Sequence, residues 1–124
     1  MTDQHDVAID ETERLIASNK VEGTTVYDEA GDKLGHIHNF LVDKISGQVE
    51  YAVLQFGGLF GLGADHYPLP WQSLSYDTDQ GGYVVDLDKE TLEDAPRYSD
   101  EEPTFDRAYG EQIYSHYGLT YPGL

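Results

Sequence analysis

Three glycine-bearing segments set the strongest limit on what this chain can fold into: DEAGD at residues 28–32, KISGQ at 44–48 and TDQGG at 78–82. Each offers a backbone position that tolerates a turn, and each lies between short runs of β-branched and aromatic residues. The chain from residue 21 onward therefore reads as strand, turn, strand. In the run after DEAGD, Ile37 and Leu41 share one parity while Phe40 and Val42 share the other. Alternation breaks near His38 and Asn39, and a β-bulge there accounts for it. VEYAVLQF, residues 49–56, is apolar on both faces and predicts a central strand. LPWQSLSYD resumes extended structure, and YVVDLD adds a strand with Tyr83, Val85 and Leu87 on one side. Five or six short strands with hairpin connections point to a small antiparallel barrel or curled sheet.

A chain of 124 residues suits one domain with one core and added tails. Residues 1–15 read as a polar N-terminal arm or short helix, with Asp10 placed to cap a turn of helix that includes Leu15 and Ile16. Residues 16–96 form the compact part. It ends in DKETLEDAP, a short helix capped by Asp88 and stopped before Pro96. Residues 97–124 are an acidic linker and an aromatic tail. In the tail Phe105, Tyr109, Ile113 and Tyr117 recur at helical spacing, with Gly118 as the stop. That stripe needs a surface to pack on, either its own barrel or a second chain.

The ordered set SNKVEGTTVYDEAGDKLGHIHNFLVDKISGQVEYAVLQFGG, HYPLPWQSL and GGYVVDLDKETLEDAP resembles the PRC-barrel proteins across residues 16–96. The tail IYSHYGLTYPG is similar to that of stand-alone bacterial members. The resemblance implies a mainly β fold: a small six-stranded antiparallel PRC-type β-barrel, with short helices at the N-terminus, after the last strand and in the tail. Relatives of this kind include the cytoplasmic domain of the photosynthetic reaction centre H subunit and the C-terminal domain of the ribosome maturation factor. They act through protein contacts. The chain departs from the first in having no transmembrane helix and from the second in lacking its N-terminal domain, so neither specific role carries over. The family offers no shared catalytic residues to transfer.

Charge narrows the partners. Seven Lys plus Arg stand against twenty-four Asp plus Glu, a net charge of −17. Nucleic-acid binding rests on clustered basic residues, and these seven are scattered, so no nucleic-acid partner is expected. No cysteine is present, which removes disulfides, thiolate metal sites and cysteine nucleophiles. No apolar run approaches a membrane span and the N-terminus lacks a signal-peptide pattern, so stable membrane insertion is not expected and a cytoplasmic location is.

Sites of chemistry find little support. In the glycine-rich loop at residues 57–63, Ala64 and Asp65 follow the last glycine where a phosphate loop needs Lys and Ser or Thr. The carboxylate pairs, such as Asp77 with Asp79 and Asp86 with Asp88, read as turn-formers and caps, and no G-x-S-x-G elbow occurs. The chain is therefore expected not to be an enzyme and to need no cofactor. His36 and His38 lie two apart, and with His66 are the candidates for a metal; a solvent-facing pair is the simpler reading. The interaction candidates are Leu59, Phe60 and Leu62 in the loop, Tyr67 and Trp71 on the HYPLPW edge, and Tyr114 and Tyr117 in the tail. The functional expectation is a non-enzymatic interaction or assembly domain that forms a homodimer or meets another protein partner. The alternative is a ligand- or metal-binding sensor built on His36, His38 and the 57–63 loop.

Overall fold

A computed structural model describes residues 15–55, 65–87, 89–99 and 101–122. Its elements are helix α1 (Ser18–Val21), strands β1 (Thr25–Asp28), β2 (Lys33–Val42), β3 (Val49–Gln55), β4 (His66–Pro70), β5 (Leu74–Asp77) and β6 (Gly82–Val85), and helices α2 (Lys89–Glu93) and α3 (Arg107–His116). The hairpins fall where the sequence places them, with Gly31 at φ 91° and Gly47 at φ 79°. The bulge lies at His38, because Ile37 pairs with Leu54 and Asn39 with Val53, leaving His38 without an opposite residue. It turns Ile37 and Phe40 to the same side, where both join one core. β3 is an inner strand with Tyr51, Ala52, Val53 and Leu54 all buried.

The strand order is β4-β3-β2-β1-β6-β5. β1 and β6 run parallel, and the other four pairings are antiparallel. The sheet is not closed: β4 and β5 are its two edges. This corrects the expectation of an all-antiparallel closed barrel. The edges are nonetheless joined by a single 3₁₀ turn, Trp71–Ser73. Six strands laid flat would separate their edges by about 24 Å, at roughly 4.8 Å per neighbour. The step across the turn spans at most about 14 Å. The sheet therefore has to curl.

The outer rim of β4 explains why curling stops short of closure. Both backbone groups of His66 bond to Tyr98, at 2.8 and 3.0 Å. By strand alternation, positions 68 and 70 face the same way, and both are proline. A strand arriving there would find no free amide to accept from. The resemblance alone did not reveal this.

Side chains from all six strands fill the inside of the curl, among them Val26, Ile37, Leu54, Leu69, Leu74 and Val85; Leu92 and Ala95 join the same core from the segment around α2. The outer face of β3 is covered by the tail. Asp106 caps α3 by accepting the Tyr109 amide at 3.0 Å, and Gly118, at φ 73°, ends it. Ile113 and Tyr114 are buried against Tyr51, in a cluster that also includes Leu41, Phe105, Tyr109, Tyr117, Leu119 and Tyr121. Burying Ile113 alone is worth roughly 1.5–3 kcal/mol. The Tyr114 hydroxyl donates to the Glu50 carbonyl at 2.8 Å, and His116 Nε2 donates to the Thr91 carbonyl at 2.9 Å, tying α3 to both sheet and α2. Asp10 and Asp88, read as caps, lie outside the described residues.

Gly110 sits in α3 where the helix meets the sheet. A Cβ there would lie 2.5 Å from a Tyr121 ring carbon and 2.6 Å from the Tyr51 hydroxyl oxygen. Gly110→Ala should therefore destabilise the fold by about 1–2 kcal/mol in urea unfolding, because overpacking exceeds the roughly 1 kcal/mol gain in helix propensity. Glu111→Ala, on the exposed side, should stay within about 0.5 kcal/mol of wild type. A stabilised Gly110→Ala protein would mean that the helix does not sit on Tyr51.

Candidate functional site

The outer face of β2, β3 and β4 gathers the three histidines that the sequence singles out, and Tyr114 packs on it from α3. At one end, pairing sets His36, Gln55 and His66 in a row across the three strands. His36 Nε2 donates to Gln55 Oε1 at 3.2 Å. The bulge at His38 brings its ring to 4.4 Å from that of His66, tilted by 57°. On its other side His66 stacks on Tyr98, 5.1 Å away and 19° from parallel. His66 Nδ1 is buried, with no hydrogen-bond partner among the described residues. The two neighbours in sequence, His36 and His38, are thus divided between different partners. No group of three or more His, Asp or Glu among the described residues is placed to hold a metal.

From Tyr98 a ladder of rings runs along the sheet. Tyr98 meets Phe105 at 6.4 Å, Phe105 meets Tyr51 at 5.2 Å, Tyr51 meets Tyr114 at 5.7 Å, and Tyr114 meets Tyr121 at 5.2 Å. Each such pair is worth about 0.5–1.5 kcal/mol beyond the area it buries. Burial pushes the phenols of Tyr98 and Tyr114 up to about 12 and raises Tyr51 further, so all three remain neutral near pH 7. They act here as contact surfaces.

At the far end of β3, Val42, Asp43 and Lys44 of the β2–β3 hairpin line a groove of about 470 Å³ together with Tyr51 and Tyr121. Asp43 at its base accepts the amides of Ser46 and Ile45, which hold its carboxyl below the usual range. Asp77 is depressed in the same way, by the Gln80 side chain first and then the Asp79 amide. Both are turn-formers.

A family model for the PRC-barrel domain matches residues 13–92. The chain belongs to the PRC-barrel family. Comparison with curated proteins found no match. Within this PRC-barrel the interaction candidates are dispersed. Tyr67, 1% exposed, lies in the inner core with the Arg97 guanidinium 5.8 Å from its ring, and Tyr114, 3% exposed, packs from α3 onto Tyr51 of the outer face. Trp71 and Tyr117 are half-buried, Trp71 between Phe40 and Tyr83 and Tyr117 against both cores. Leu59, Phe60 and Leu62 lie outside the described residues.

Sequence reasoning missed the hairpin end. Ile45 is 97% exposed and Val42 45%. The available signal was an isoleucine inside a turn, between Lys44 and Ser46.

The histidine end has a pH consequence. His38 is exposed overall, but desolvation foremost, then the charges of His66 and His36, makes it harder to protonate than its ordinary 6.5, while Glu22 and Glu102 pull the other way. A group with a depressed folded value adds stability above its unfolded value, and the contribution is lost as pH falls through the folded one. Between about pH 7.5 and about pH 5.5, wild type should lose more melting temperature than His38→Gln. Parallel curves for the two proteins would show that the ring contact does not oppose protonation.

Proposed function

We propose that this PRC-barrel is a non-enzymatic protein-interaction or assembly domain that self-associates as a homodimer through residues 57–63. The supporting observation is the position of the tail: Ile113 and Tyr114 are buried on Tyr51 of their own chain, so these tail residues are committed within the subunit. The remaining strongly apolar candidates are Leu59, Phe60 and Leu62, which lie outside the described residues. Charge favours the same place. Two copies at −17 repel, and residues 51–64 carry no charged side chain. A two-fold contact there sets an uncharged patch against its own copy.

Catalysis is not part of this reading. Asp43 and Asp77 are ionised turn-formers, and Glu29, raised by the neighbouring Asp86, is exposed to water rather than set in a dry pocket.

The double variant Phe60→Asp, Leu62→Asp should keep the wild-type circular dichroism spectrum and run as a monomer in light scattering where wild type runs as a dimer. A folded, dimeric variant would remove the loop from the interface. An unfolded one would place it in the core of its own chain.

A further inference from the structure

The β2–β3 hairpin has a property that self-association through residues 57–63 leaves unexplained. Ile45, almost wholly in water, is held by a rigid turn. Asp43 Oδ1 accepts the amides of Ile45 and Ser46 at 2.8 and 2.9 Å. The Gly47 amide donates to the Asp43 carbonyl at 2.9 Å, and the Asp43 amide to the Gln48 carbonyl at 2.8 Å. Gln48 in turn donates to Ser46 Oγ at 3.1 Å. An apolar side chain on so fixed a backbone has little freedom left to lose on docking.

On the same hairpin opens the groove of about 470 Å³. Tyr51, Phe105 and Tyr121 line it together with Leu41 and the 45%-exposed Val42. Its charged lining residues are Asp43, Glu50 and Lys44. Asp43 is engaged by its turn. The Tyr121 hydroxyl donates to Glu50 Oε1 at 3.5 Å, a long contact that a cationic donor would outcompete.

We infer that this groove docks an extended segment of a partner protein in which an apolar side chain stands next to Lys or Arg. The apolar side chain packs against Val42 and the aromatic lining, the cation pairs with Glu50, and the segment continues from the groove onto Ile45 of the adjoining turn. Charge selects this occupant over a second copy. Each copy carries −17, and the groove adds two carboxylates against one ammonium, so an identical chain or an anionic membrane brings the same sign to the same place. The inference rests on the interaction-domain reading but uses a different surface. β3 runs from the hairpin at Val49 to the loop end at Gln55, about 20 Å.

The probes are two peptides, acetyl-Lys-Leu-Arg-Phe-amide and acetyl-Glu-Leu-Asp-Phe-amide, titrated into the isotope-labelled full chain and read by amide chemical shifts. The cationic peptide should give saturable shifts at Val42, Ile45, Glu50 and Tyr121, and its affinity should fall about fivefold between roughly 0.05 and 0.5 M salt. Glu50→Gln and Ile45→Ser, each with an otherwise unchanged spectrum, should each weaken it by about threefold or more. The Phe60→Asp, Leu62→Asp protein should bind it as wild type does, which separates failure at the groove from failure at the loop. Equal shifts with the anionic peptide, shifts elsewhere or no shifts would overturn the inference. So would dissociation of the dimer by Ile45→Ser, which would make a second copy the occupant, or vesicle binding lost in that variant, which would make it a membrane.

Discussion

The short link between the two edges of the sheet is the constraint on which the rest of the structure depends. Trp71, Gln72 and Ser73 carry the chain from β4 to β5, the first and last strands of the order. A span so short forces the curl, and the curl creates an interior that receives side chains from every strand. The same link sits beside a β4 rim whose outward positions are His66, already bonded to Tyr98, and two prolines. The result is a curled sheet that neither closes nor offers that rim to another strand.

Curling gives the sheet an outside as well as an inside, and β3 is apolar on both. Tyr51 on the outer face would be costly to leave in water, and the C-terminal tail covers it with Ile113, Tyr114 and Phe105. That cover makes the tail a second layer of its own fold. Among the described residues, what stays available lies at the Val49 end of β3: the rigid hairpin with Ile45, and the groove beside it. A chain so acidic then separates possible partners by sign. Like charge is tolerated only where neither surface carries any.

Features set by neighbours in sequence were legible. Gly31 and Gly47 marked hairpins because those turns need positive φ, the broken alternation around His38 marked a bulge, and four consecutive apolar residues in β3 marked an inner strand. The parallel pairing of β1 with β6 was not legible, since residues 25–28 and 82–85 carry no local signal of each other. The stripe of Tyr109, Ile113 and Tyr117 showed that the tail had a face to bury but not on which chain. Gly110 was the residue that bore on it: a glycine within a helix is unfavourable unless something approaches closely, and here Tyr51 and Tyr121 do. The two-residue spacing of His36 and His38 did not by itself fix their partners, because the bulge sent His36 to Gln55 and His38 to His66.

The claim that the tail closes over its own sheet is tested most directly by isotope-filtered Overhauser contacts in an equal mixture of labelled and unlabelled chains. Contacts between the rings of Tyr51 and Tyr114, whose centroids lie 5.7 Å apart, should arise only within a single chain. Contacts between a labelled Tyr51 and an unlabelled Tyr114 would contradict the account, because they would place the tail on a second subunit.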